Sequence, residues 1–208
     1  GGGLMAGSGS EPRYDGAAIS REGVIGVTAN YREGLFGFLS HPELTAESSY
    51  GGSGNYGFLD QVAAIDWVKD NISAFGGDPN RITIVGESAG SFSVSLLMAS
   101  PLSKGKIAGA MLSSGAEVIP YAAVPQAKAE VEGKANLESK GLMNIAEARA
   151  LDADKLQELL PPTGMYSVVL DGYFMTETPD AIYEKGEQAR VPLLAGWNSL
   201  EGSPLQAL

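Results

Sequence analysis

Apolar residues in this chain come in two arrangements: short, nearly unbroken runs, and longer stretches where they recur every three or four positions. Val24-Ile25-Gly26-Val27-Thr28-Ala29-Asn30-Tyr31 is such a run. So are Ile82-Thr83-Ile84-Val85, Ile107 to Leu112, and Val191-Pro192-Leu193-Leu194-Ala195. Strands buried on both faces of a parallel sheet read this way, because neither side chain direction meets water. Strands are therefore predicted at 24–31, 81–85, 107–114 and 191–198. Helical spacing begins at Asp60, with Val62, Ile65, Val68 and Ile72 on one stripe flanked by Trp67 and Phe75, and Gly76-Gly77-Asp78-Pro79 stops it. It returns at Phe92, Leu96 and Ala99, with Leu97 and Met98 beside them, until Pro101. Residues 126–140 and 145–160 are polar, alanine- and leucine-rich helices expected outside the sheet, the second closed by Pro161-Pro162. A short extended segment is expected at 168–174. Residues 32–57 are dense in glycine and serine and are expected to form a long loop of little regular structure, which in a compact domain is more often functional than accidental. The alternation β-α-β-α-β gives an α/β chain built on a mostly parallel sheet flanked by helices.

Charge and composition narrow the classes. A length of 208 residues suits one domain or most of a larger one, and 44% hydrophobic with 19% charged residues is the composition of a packed core. A net charge of −11 argues against nucleic acid and anionic membrane surfaces as partners. With no cysteine, disulfides and thiolate metal sites are excluded. No apolar run approaches the length of a membrane span. The first ten residues, Gly1-Gly2-Gly3-Leu4-Met5-Ala6-Gly7-Ser8-Gly9-Ser10, read either as a flexible leader or as a functional loop. Leu4, Met5 and Ala6 make them unlike a plain linker.

Candidate chemistry sits where the 81–85 strand meets the following helix. Gly86-Glu87-Ser88-Ala89-Gly90 fits G-x-S-x-G, the pattern of a nucleophile elbow. A serine there occupies a strained turn that lifts its hydroxyl clear of the backbone, and side chains two positions to either side would collide with strand and helix. The next amide, that of Ala89, stands at a helix N-terminus and is able to donate to a developing oxyanion.

Further stretches fall in place around the elbow: Gly1-Gly2-Gly3-Leu4, Asn30-Tyr31-Arg32, Asn55-Tyr56-Gly57-Phe58-Leu59-Asp60-Gln61, Ala74-Phe75-Gly76-Gly77-Asp78-Pro79, Ser113-Ser114-Gly115 and Gly196-Trp197-Asn198-Ser199-Leu200-Glu201-Gly202. In this order they resemble the type B carboxylesterases of the α/β-hydrolase superfamily, a group that includes bacterial carboxylesterases and cholinesterases. The resemblance implies an α/β-hydrolase fold and a serine hydrolase of carboxylic esters working through a Ser-Glu-His triad and an acyl-enzyme. It implies Ser88 as nucleophile, Glu201 as the triad acid, and the N–H groups of Gly2, Gly3 and Ala89 as the oxyanion hole. Arg32 and Asp60 match a structural ion pair, and Ser114 matches a buried serine behind the triad. It implies a small-molecule ester as substrate and calls for neither metal nor organic cofactor. Glu87 either tunes the pocket or complements the following helix. Trp197, Tyr121, Tyr166 and Phe36 are pocket or core aromatics that the sequence does not separate.

The family's base is a histidine that follows the acid, whereas the sole histidine, His41, precedes Ser88. His41 is therefore not expected to be the base. The expectation is that residues 1–208 form a partial α/β-hydrolase domain, incomplete at both ends. It would lack N-terminal strands and the C-terminal segment that carries the histidine, and as given it would be close to inactive. Two alternatives share the resemblance: a non-catalytic binding or adhesion protein on the same scaffold, and another acyl hydrolase such as an amidase, thioesterase or lipase. Oligomeric state and localisation have no signature in the sequence.

Overall fold

Strands β1 (Thr83–Glu87), β2 (Gly109–Ser113) and β5 (Leu193–Gly196) form the central sheet of the computed structural model, which describes residues 2–115, 123–161 and 166–201. The order is β1-β2-β5 and every pairing is parallel. Glu87 pairs with Ser113 and Ser113 with Gly196, so the carboxyl ends of all three strands finish level. The segments leaving these strands therefore all emerge at one edge of the sheet. A second, two-stranded parallel pair joins β3 (Val124–Pro125) to β4 (Val169–Leu170).

Nine helices of the described residues surround these strands. They are α1 (Ala17–Ser20), α2 (Gly34–Phe38), α3 (Pro42–Glu47), α4 (Tyr56–Asn71), α5 (Ala89–Ala99), α6 (Gln126–Glu138), α7 (Ile145–Arg149), α8 (Ala153–Leu159) and α9 (Pro179–Glu184). Helix α5 crosses from β1 to β2 and packs on one face of the sheet, burying Ala89, Val94, Leu96, Leu97 and Met98 in the same cluster as Ala110 and Leu112. Phe58, Phe38, Phe174 and Met175 continue that core under α4, with the Phe58 and Phe174 rings stacked at 5.2 Å. A smaller core of Leu137, Leu142, Ile145, Ala148, Leu156 and Leu160 joins α6, α7 and α8 to Leu35, Leu39 and Leu44. No helix of the described residues is long and apolar enough to cross a membrane.

Several expectations need correction. The apolar run at 24–31 is not a strand: it joins no ladder, and Val24, Ile25 and Val27 are 49%, 41% and 49% exposed. It lies beside residues 9–19, where Asn30 Oδ1 accepts the Gly9 N–H at 2.8 Å. An apolar run records a preference for burial, but a strand also needs a partner's hydrogen bonds, and none of the described residues supplies them. Likewise β1 and β2 are covered on one face only, and β5 is exposed along its whole length. Val85, Met111 and Leu194, which are in register with one another, are all exposed. The helix expected at 145–160 is two helices, broken at Ala150-Leu151-Asp152 so that Ile145 and Leu156 both reach the small core. The loop expected at 32–57 contains α2 and α3, and α4 begins at Tyr56, four residues before the apolar stripe.

Two side chains anchor α4. Asn55, fully buried, donates Nδ2–H to Val169 O (2.8 Å) and Asp171 Oδ2 (2.9 Å), and its Oδ1 accepts the Val169 N–H (3.0 Å). Asp60 accepts two hydrogen bonds from the Arg32 guanidinium, at 2.7 and 2.8 Å, and one from the Arg32 backbone N–H at 2.9 Å. Burial raises the Asp60 carboxyl, but the Arg32 contacts together outweigh it and hold the group below the usual 3.8. Asp60→Asn is expected to cost about 1–2 kcal/mol, the scale of hydrogen bonds to a charged group, tempered by the half-exposed arginine. Because the folded carboxyl sits low, this stabilisation is complete above the unfolded value and is lost as pH falls through the folded one. Urea unfolding of the wild type and Asp60→Asn at pH 7 and near pH 3 checks both parts: the gap should narrow in acid.

Candidate active site

Ser88 is the first residue after β1 and has φ 53° and ψ −123°, a positive-φ conformation that costs a residue bearing a Cβ about 1–3 kcal/mol. Three backbone bonds hold it there. Its N–H donates to Ser113 O at 2.9 Å, and its carbonyl accepts from Ser91 N (2.8 Å) and Phe92 N (3.1 Å). The glycine at position 86 is explained by the turn: a Cβ there would lie 2.1 Å from the Gly90 carbonyl oxygen. Gly115 is constrained similarly, since its Cβ would come within 2.8 Å of Ser88 O. Ser88 remains half-buried and its side chain does not cap α5. Ala89 heads that helix with its side chain fully buried, and as a first-turn amide its N–H has no acceptor within the helix.

Gly2 and Gly3 lie in the 3₁₀ turn Gly2–Leu4, which is closed by Met5 N–H to Gly2 O at 3.0 Å and packs against α5. Gly2, Gly3 and Leu4 have φ of 77°, 66° and 63°. Two glycines adopt this at little cost; Leu4 is held in it by burial, at 2% exposure within the main core. Gly1, which belongs to the same motif, lies outside the described residues.

Glu201 lies just beyond β5. Its Oε1 accepts the Ser114 hydroxyl at 2.7 Å and the backbone N–H of Asn198. Those two donors, the Ser114 hydroxyl first, hold the carboxyl below the usual range, so it is ionised at neutral pH. Ser114 is the residue after β2; it is half-buried rather than buried, has φ 56°, and donates its N–H to Gly196 O at 2.8 Å. Ser113 and Ser114 therefore link the two halves, one through its carbonyl to Ser88 and the next through its hydroxyl to Glu201. Ser114→Ala should move the Glu201 carboxyl upward. A ¹³C NMR titration of that carboxyl reads the change, and an unmoved titration would show that the hydroxyl is not its dominant donor.

Strain marks the same places. Among the described residues, the non-glycines with positive φ are Leu4, Ser88 and Ser114. One stands in the glycine turn, one at the elbow and one beside the acid, and strain of this kind persists where the surroundings over-determine it, as at functional sites. The resemblance names Ser114; Leu4 and Asn198 lie within its matched stretches, but it assigns no role to the Leu4 backbone or to the Asn198 amide.

The remaining candidates lie elsewhere. His41 is buried, its Nδ1 accepts the Glu43 N–H at 3.1 Å, and its own backbone N–H donates to Ser53 Oγ, so it caps α3. Tyr166 stacks on Phe38 in the core, Trp197 is 81% exposed and Phe36 39%. Tyr121 and Gly202 lie outside the described residues. No group of three or more carboxylates or histidines among the described residues is arranged to hold a metal ion.

Residues 1–208 match the model of the carboxylesterase family from end to end. The chain is 40% identical to a fumonisin B1 esterase of Sphingopyxis macrogoltabida and 37% identical to a para-nitrobenzyl esterase of Bacillus subtilis. Each alignment covers 97% of this chain, but 38% and 42% of those proteins. The structure superposes on a Geobacillus stearothermophilus carboxylesterase with a TM-score of 0.85 at 37% identity, over 100% of this chain and 44% of that one. The chain thus spans about two-fifths of the length of the relatives it matches. With an α/β-hydrolase fold and a family match along its whole length, this chain belongs to the carboxylesterase family.

Proposed function

We propose that this chain carries the nucleophile, the oxyanion donors and the orienting acid of a serine hydrolase of carboxylic esters. The observation that carries the reading is the positive-φ Ser88 at the head of α5, bonded through Ser113 to the strand whose next residue holds Glu201. In the proposed reaction Ser88 Oγ attacks the ester carbonyl and its proton passes to an imidazole. The amides of Gly2, Gly3 and Ala89 bind the tetrahedral oxyanion, each donor worth about 10²–10³ in rate. Glu201 orients that imidazole and stabilises its charged form. Water then hydrolyses the acyl-enzyme. The small-molecule ester is the substrate this chemistry requires.

The imidazole in this proposal belongs to a histidine outside these 208 residues. Two observations support that: His41 is buried and occupied in capping α3, and the chain spans about two-fifths of its relatives. The test is p-nitrophenyl acetate hydrolysis by this chain and by the longest reading frame that contains it, each beside its Ser88→Ala variant. Serine-dependent turnover in the longer protein alone supports the full proposal. Absence of it in both overturns the hydrolase reading.

A further inference from the structure

Ser91, Ser93 and Ser95 follow the nucleophile on α5, and all three are buried. Ser93 and Ser95 donate their hydroxyls back into the helix, to Ala89 O and Phe92 O at 3.0 Å each, as helical serines commonly do. Fully buried Ser91 does not: its hydroxyl leaves the helix and donates to Gly115 O, 24 residues further along the chain. Gly115 lies close against that turn, since a Cβ on it would stand 2.8 Å from Ser88 O and 3.2 Å from both Ser91 Cβ and the Phe92 ring. The segment leaving β2 is thus tied to the elbow on both sides of one residue. Ser113 O accepts the Ser88 N–H, Gly115 O accepts the Ser91 hydroxyl, and Ser114 stands between them. Ser114 has φ 56°, a conformation that persists in a residue with a Cβ only where the surroundings over-determine it. It is from this conformation that its hydroxyl reaches Glu201 Oε1 at 2.7 Å.

We propose that Ser91 is a positioning residue: by holding Gly115 O against the first turn of α5, its hydroxyl keeps Ser114 at positive φ and so fixes the Glu201 carboxylate relative to Ser88. The inference rests on the ester-hydrolase reading. Without that bond the Gly115 carbonyl is released and Ser114 relaxes toward negative φ, a rotation that swings its side chain off the carboxylate. Glu201 then loses a donor, and the imidazole it orients loses a fixed partner. The nucleophile keeps its own bonds, which run through the backbone to Ser113, Ser91 and Phe92. The effect therefore falls on the acid and not on the serine.

The test uses the longest reading frame that contains this chain, with p-nitrophenyl acetate as substrate and a ¹³C NMR titration of the Glu201 carboxyl beside the kinetics. Ser91→Ala keeps the Cβ and removes the hydroxyl alone. It should lower kcat about ten- to a hundredfold, the scale of a small misplacement of an orienting group, and leave KM nearly unchanged. It should also move the carboxyl's titration upward, as expected of Ser114→Ala. Ser95→Ala removes a similarly buried hydroxyl from the same helix and should change neither. The double variant Ser91→Ala/Ser114→Ala should be slower than the slower single variant by no more than about twofold, because both act through one contact. Labelling of Ser88 by a fluorophosphonate in each variant reports that the nucleophile is in place. Losses that multiply in the double variant, a carboxyl titration that Ser91→Ala leaves unmoved, or a Ser91→Ala protein that fails to fold each overturn this inference alone. No serine-dependent turnover in the wild type overturns the hydrolase reading and this inference with it.

Discussion

Ser88→Ala is expected to lower kcat/KM for p-nitrophenyl acetate by about 10⁵–10⁶-fold in the longest reading frame that contains this chain, and to abolish covalent capture by a fluorophosphonate. The magnitude comes from hydrolases in which removal of the serine alone costs nearly as much as removal of the whole triad, leaving only what oxyanion binding and positioning supply. Nearby hydroxyls offer no substitute. Ser91, Ser93 and Ser95 on α5 are buried, and each donates to a backbone carbonyl: Gly115, Ala89 and Phe92 respectively. The Ser114 hydroxyl is directed at Glu201. Stability should change by no more than about 0.5 kcal/mol, because alanine keeps the same positive-φ strain and Ser88 makes its holding bonds through its backbone. The 208-residue chain is expected to show no turnover above its own Ser88→Ala variant. Turnover in that chain that Ser88→Ala removes would place a base within these residues, and His41→Ala would then be the protein to make.

The legible parts of this fold are those whose causes are local. β1, the elbow and α5 succeed one another within 17 residues, and the glycine spacing, apolar stripe and proline stop each act within a turn of where they sit. The true start of α4 escapes the apolar stripe because its anchor, Asn55, acts through Val169 and Asp171, more than a hundred residues away. The 24–31 run misleads for the same reason, since apolar continuity says nothing about which strand is present to pair. Within 32–57 the signals for α3 are present in the sequence: a proline at its first position and a side chain before it able to accept an amide. The density of glycine and serine around them hides both. Resemblance names Glu201 and Ser114, but the bond between them is a tertiary fact that residue spacing does not contain.

Gly86→Ala is expected to destabilise the fold by more than about 3 kcal/mol and to abolish fluorophosphonate labelling of whatever protein remains folded. The added methyl would stand 2.1 Å from the Gly90 carbonyl oxygen, 2.2 Å from its carbon and 2.7 Å from Ser91 N. All three are backbone atoms in the first turn of α5, so no rotamer change relieves the clash. Moving the helix away would unseat fully buried Ala89 and Ser91 and buried Val94. It would also strain the bonds from Ser88 N–H to Ser113 O and from Ser91 N–H to Ser88 O that set the nucleophile's conformation. Gly196→Ala is the informative control: it sits at the end of the neighbouring strand β5, its added Cβ meets nothing within 4 Å, and it should be neutral within about 0.5 kcal/mol. Chemical unfolding of the two variants beside the wild type separates the cases. Equal stabilities would mean that the helix can retreat from the strand at little cost. The elbow's geometry would then be a consequence of the surrounding packing and not of the glycine spacing within G-x-S-x-G.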